Sequence, residues 1–159
     1  MIFSRMRRDS SLAFARETSY IPLVAVSLMD DSKAMVNKRI KICVGGLTLE
    51  AELKSNKTAE AVYAALPIET GVNTWGDEFY LKLPGVKDYR ETATTQVKVG
   101  DIALWGAGEV LAIFFGRTPM SLGPDPVPVD RVNVIGRIVG EADQLRQVMG
   151  ATTIKLERA

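Results

Sequence analysis

The side chains with the clearest chemical promise lie at Gly116-Arg117-Thr118-Pro119, directly after an unbroken apolar run from Val110 to Phe115. A guanidinium and a hydroxyl on a sharp exit from the most buried part of a domain could offer a donor fork to a carboxylate or a carbonyl. The alternative is that Arg117 pairs with an acid such as Asp77, Glu78 or Asp130. Trp75 and Trp105 each precede a glycine. An indole there either covers the end of a barrel or forms a wall against which a ligand stacks. Asn73 either closes a turn by bonding its own backbone or joins Trp75 at a site. Of Phe114 and Phe115, which alternate faces, one enters the core and the other packs under a helix or lines a pocket. The candidate ligand-binding set is therefore Asn73, Trp75, Phe115, Arg117, Thr118 and Met120.

Other chemistry is closed off by composition. The 159 residues include no histidine and a single cysteine, Cys43. No Ser-His-Asp or Cys-His pair and no zinc deaminase site can be assembled within the chain. Cys43 forms no intrachain disulfide, and with no positive helix terminus nearby its thiolate lacks a stabiliser, so it is read as inert. No catalytic residue, metal ligand or cofactor is assigned. A net charge of +1, with lysine and arginine scattered, disfavours nucleic acid and anionic membrane surfaces as partners. At 47% apolar and 25% charged residues, the chain is ordinary globular material with enough length for one core.

The elements that must hold these residues are mostly strands. Ile40, Ile42 and Val44 alternate with Lys41 and Cys43, and after Gly45-Gly46 the alternation resumes from Leu47 to Leu53, which is the pattern of a hairpin with a primed turn. Asn56 suits the N-cap of a short helix ending near Leu66 and Pro67. A turn-rich link leads to a strand at Phe79–Leu83. Lys87 to Thr95 is a loop or edge strand. Short strands at Gln96–Val99 and Ile102–Trp105 flank a Gly100-Asp101 turn. The run from Val110 to Phe115 is too short for a good helix and reads as a strand covered on both faces. Prolines 124, 126 and 128 specify an extended surface loop. Arg131 to Val139 is a strand in which Gly136 marks a bulge or a close backbone approach. A second helix spans Glu141 to Met149, and Thr152 to Leu156 closes the sheet. The fold class expected is all-β with two short helices, and the number of turns suits a closed antiparallel β-barrel better than an open sheet.

Residues 1–38 differ in character. Arginines at 5, 7, 8 and 16 precede an apolar patch, Ile21 to Met29, that Pro22 interrupts and Asp30 and Asp31 follow. Nothing in it approaches the ~20 apolar residues of a membrane span. It reads as a partly disordered extension, with Met29 or Met35 as an alternative start, before a domain at residues 39–159.

Three segments in order, NTWGDEFY at Asn73 to Tyr80, FFGRTPMS at Phe114 to Ser121 and VNVIGRI at Val132 to Ile138, resemble a family of small bacterial and archaeal cyclophilin-like proteins of unassigned function. The resemblance covers Ile40 to about Leu156 and implies a closed barrel of the cyclophilin type flanked by two helices. True cyclophilins carry a catalytic arginine on an early strand, with phenylalanine and histidine beside it. Here the early strands hold no such arginine, the chain has no histidine, and Arg117 lies at the wrong place in the pattern. The expected function is a cytoplasmic, non-catalytic module binding a small molecule or an extended peptide. The alternative is a divergent peptidyl-prolyl cis-trans isomerase, a reaction that needs no covalent step.

Overall fold

The computed structural model describes residues 38–159. The extension read at residues 1–38, with its apolar patch, lies outside the described residues except for Lys38. From Arg39 onward alternation does what it should. β1 (Arg39–Val44) and β2 (Leu47–Leu53) pair antiparallel across Gly45-Gly46, whose φ angles of 59° and 85° are those a primed turn demands. Helix α1 (Lys57–Ala64) begins where Asn56 Oδ1 accepts the Ala59 N–H at 2.8 Å, and it buries Ala59 and Val62.

Next come β3 (Ile68–Gly71), β4 (Asn73–Thr74), β5 (Glu78–Lys82), β6 (Ala93–Thr94), β7 (Asp101–Trp105), β8 (Val110–Phe114), β9 (Val132–Val139) and β10 (Thr153–Arg158). The second helix, expected over Glu141 to Met149, is a 3-10 helix at Ala142–Val148. Three strand assignments differ from expectation: β3 and the two-residue β4 fall in the stretch read as a turn-rich link, and Gln96 to Val99 is not a strand. β3 holds only one apolar residue in four and forms through backbone pairing with β10, so it carries no alternation to read. Gln96 to Val99 is irregular because side chains take its amides: Thr94 Oγ1 accepts Gln96 N–H and Asp101 Oδ2 accepts Lys98 N–H.

The sheet runs β3-β10-β1-β2-β9-β7-β8-β5-β4, with β6 added on β9. This corrects the expected closed barrel, because no ladder joins the two end strands. Those ends, β3 and β4, are consecutive in the chain with only Val72 between them. Two successive extended segments heading the same way one residue apart cannot lie side by side and exchange hydrogen bonds. The sheet therefore bends until its edges meet covalently at Val72, whose N–H bonds Thr152 O, and the seam stays unladdered.

Both faces of the middle strands are covered, as the run from Val110 to Phe115 requires. Leu111, Ile113 and Phe115 point into the main core with Phe79 and Leu81. Ala112 and Phe114 point into a second, smaller core with Val97, Ala103, Val132 and Val134. Phe114 and Phe115 are thus both core residues, each 1% exposed, in different cores. Gly136 fulfils both readings offered for it: the β9–β7 register slips between Val134 and Gly136, and a Cβ there would collide with the Glu52 carbonyl oxygen.

Candidate functional site: an aromatic cavity over a buried carboxyl

Two of the three motif segments are clamped together by backbone. The turn Trp75-Gly76-Asp77 is closed by Trp75 N–H to Glu78 O at 2.9 Å, then docks on the exit from β8 through Asp77 N–H to Arg117 O at 2.8 Å and Phe115 N–H to Asp77 O at 2.9 Å. Gly76 has φ 62°, and a Cβ on it would lie 2.9 Å from Arg117 O, Thr118 Cα and Pro119 Cδ. Only glycine satisfies both the left-handed backbone and the close approach. Asp77 then completes the clamp by holding Arg146 at 2.8 Å.

The same turn aims Trp75 over the second face of the sheet. On β5, Phe79 and Leu81 enter the main core, so Glu78, Tyr80 and Lys82 share the other face, opposite Phe114, Ala112 and Val110 of β8. β7 adds Trp105, paired with Val110, and the proline-rich loop lays Val129 across from it. The result is a cavity of about 220 Å³ lined by Trp75, Glu78, Tyr80, Trp105, Val110 and Val129.

At its base, Glu78 is 7% exposed, and among the described residues its carboxyl has no hydrogen-bond or ion-pair partner. Burial alone pushes its pKa up to about 7 from 4.5. Lys82 does not reach it, donating instead to Gly108 O at 3.3 Å. The Trp105 indole is oriented by donation to Asp130 Oδ2 at 3.3 Å. That contact and the Arg131 N–H lower the Asp130 pKa, the backbone bond contributing most. Both tryptophans of the chain line this one cavity.

The candidate residues from the sequence divide between places. Trp75 is in the cavity. Asn73 is exposed on β4, paired opposite Tyr80 in the ladder. Phe115 and Arg117 line a separate cleft of about 450 Å³ with Arg137, Glu141, Asp143 and Arg146, which shares no lining residue with the aromatic cavity. Arg117 is exposed and donates to Ser121 O at 3.2 Å; none of Asp77, Glu78 and Asp130 pairs with it. Thr118 is buried and fastens the proline-rich loop, its Oγ1 donating to Val127 O at 2.6 Å while its N–H goes to Ser121 Oγ at 3.0 Å. Met120 stands 48% exposed on that loop.

The sequence pointed to Glu78 only as a possible partner of Arg117, left Trp105 outside the candidate set, and did not single out Tyr80, Val110 or Val129. A signal was present. A fully apolar β8 means that both faces of its neighbours are covered too, so an acid on a strand paired with it is a candidate buried charge; what was lacking was the knowledge that β5 is that strand.

A second polar cluster is structural. Asn133, 1% exposed, shares the two N–H donors of its Nδ2 among three acceptors, Thr58 Oγ1 at 2.9 Å, Glu91 Oε1 at 2.9 Å and Asp88 Oδ1 at 3.1 Å, and accepts from Thr92. Glu91 in turn accepts the first amides of α1, from Lys57 at 2.6 Å and Thr58 at 3.2 Å. Desolvation acts to raise the Glu91 pKa, but the bonds from Thr58, Asn133 and backbone amides prevail and bring it to about 2. All its members are satisfied, so it anchors the helix to β9 and leaves nothing open to a ligand.

Among the described residues no group of three acids, cysteines or histidines is placed to hold a metal ion, and no helix is long and apolar enough to cross a membrane. No protein of curated function matches the chain. The solution structure of a hypothetical protein from Archaeoglobus fulgidus is similar, at 35% sequence identity over 78% of this chain and 96% of that one, with a TM-score of 0.66. The model of the cyclophilin-like family matches residues 38–157, which contain all three motif segments and every strand but for Arg158 at the end of β10, and the chain belongs to that family.

Proposed function

We propose that this chain is a cytoplasmic, non-catalytic binding module that takes a small molecule in the aromatic cavity. The observation that carries the reading is the buried Glu78 carboxyl, unpartnered among the described residues and facing a space walled by Trp75, Tyr80 and Trp105. A carboxyl group without a partner in an apolar setting costs free energy unless a ligand supplies one, and natural sites accept that cost where they bind. The rings supply area and the carboxyl supplies orientation.

The test uses the indole N–H resonances of the two tryptophans, both of which report on this cavity. A set of fragment-sized neutral and charged compounds is titrated into the ¹⁵N-labelled protein. Saturable shifts of both indoles, lost for Trp105 when Trp75→Ala is introduced, are expected. If every binder leaves both indoles unmoved, the site is elsewhere. If the protein accelerates prolyl isomerisation in a protease-coupled assay and Trp75→Ala removes that rate, the module is an enzyme and the proposal fails.

A further inference from the structure

Resting on that reading of the cavity, we infer that its ligand is a small organic cation of the methylated ammonium class, held by the faces of Trp75, Tyr80 and Trp105 and neutralised by the Glu78 carboxylate. Three aromatic walls with a carboxylate at the base match a cation whose charge is spread over methyl groups. The rings attract it through their quadrupoles, and the desolvated carboxylate supplies the opposite charge.

The chain shows what happens where it provides its own cation. Lys38 and Arg158 sit over the Tyr63 ring at 5.5 and 5.0 Å, and Lys57 and Lys87 over Tyr89 at 5.7 and 4.9 Å. Among the described residues no lysine or arginine occupies the cavity rings, and Lys82, on the same strand face as Glu78, is turned to Gly108 O. No ring of the three stacks on another aromatic among the described residues; Trp105 packs on one side against the smaller core and Gly108 and lines the cavity with the rest of its surface.

The side-chain polar groups in the lining also distinguish between amines. They are the Glu78 carboxyl, the Tyr80 hydroxyl and two indole N–H groups, one of which Asp130 already holds. A primary ammonium carries three donors and a tightly held hydration shell, so to enter it must aim all three donors at the Glu78 carboxylate oxygens and the Tyr80 hydroxyl, the acceptors that the lining side chains offer. A quaternary or tertiary ammonium has at most one donor and makes no such demand.

The test compares choline with its neutral carbon isostere, 3,3-dimethylbutan-1-ol, and with ethanolamine, by indole chemical shift on the full chain. Choline is expected to bind at least tenfold more tightly than either. Glu78→Gln should weaken choline at least about fivefold more than it weakens the alcohol, leaving only the part of choline's advantage that the rings supply. A folded Glu78→Gln spectrum controls for damage, and Glu78→Asp, which keeps the charge on a shorter arm, should retain part of the advantage.

Choline affinity should also fall about tenfold from pH 8 to pH 6, because the cation selects the ionised carboxylate of a group titrating near pH 7, and affinity for the alcohol should not. Of the groups facing Glu78, β8 offers Phe114 and Val110, β7 offers Trp105 and the loop offers Val129. Tyr80, Lys82 and Asp130 are the neighbouring titratable groups, and the Asp130 carboxyl, held below its ordinary pKa by the Arg131 N–H and the Trp105 indole, stays ionised across that interval. If the alcohol shifts the indoles as tightly as choline does, the cavity binds but not cations, and the inference falls while the proposed function stands. If choline binding ignores Glu78→Gln, or neither compound moves an indole, the inference also falls, and the fragment titration then decides the proposed function on its own.

Discussion

Glu78 is where chemistry and stability pull against each other. Its folded pKa of about 7 lies above the unfolded value near 4.5, so the folded state holds the proton more tightly. The stabilisation from that proton is complete below pH 4.5 and is lost as pH rises through 7. At about 1.4 kcal/mol per pKa unit, the loss is about 3 kcal/mol between pH 4 and pH 8. Glutamine cannot ionise, and Glu78→Gln should therefore gain on the wild type by up to about 3 kcal/mol across that range. Urea denaturation at both pH values checks it, and parallel pH profiles for the two proteins would show that the carboxyl is not the titrating group. A residue whose removal stabilises a fold at the working pH is what a binding group is expected to be.

Among the elements, the Trp75-Gly76-Asp77 turn does the most to place the cavity. It carries one wall and begins the strand that carries the base, and its position comes from backbone bonds to Phe115 and Arg117. Gly76→Ala should strain the left-handed backbone, at about 1–2 kcal/mol, and also press a methyl against Arg117 O and Pro119. Gly46 provides the contrast: its φ is 85°, but a Cβ there meets nothing within 4 Å. Gly46→Ala should show the backbone cost alone. Denaturation midpoints of the two variants, with the Trp75 indole shift as a local reporter, separate the effects, and equal losses with an unmoved indole would mean that the clamp yields freely. The proline-rich loop completes the frame from the other side, with Thr118 and Ser121 tying it so that Val129 reaches the cavity.

At the scale of the whole molecule, the seam between β3 and β4 sets the weakest boundary of the sheet. β4 pairs only with β5 and β3 only with β10, whereas β9 is flanked by β2, β7 and β6. Amides of Ile68–Gly71 and Asn73–Thr74 should exchange with deuterium at least about tenfold faster than those of Val132–Val139. Protection at the seam equal to that of β9 would mean that the edges are laddered in solution after all.

The sequence by itself determined what depends on neighbours along the chain. Alternation from Ile40 to Leu53 with two glycines between made a hairpin, Asn56 made a helix start, and the apolar run at Val110 to Phe115 made a strand buried on both sides. Three short motifs carried the family, which residues 38–157 bear out. Counting turns did not determine closure, because closure depends on whether two edges can be laid side by side, and β3 and β4, with one residue between them in the chain, are not. The sequence offered Trp75 as a candidate ring wall but nothing that joined it to Glu78, which it marked only as a possible partner of Arg117. Their meeting with Trp105, Tyr80 and Val129 is decided by which strands pair and where a loop of 13 residues between Phe115 and Val129 returns to the sheet, and those are long-range choices that only the packing of two cores on opposite faces makes.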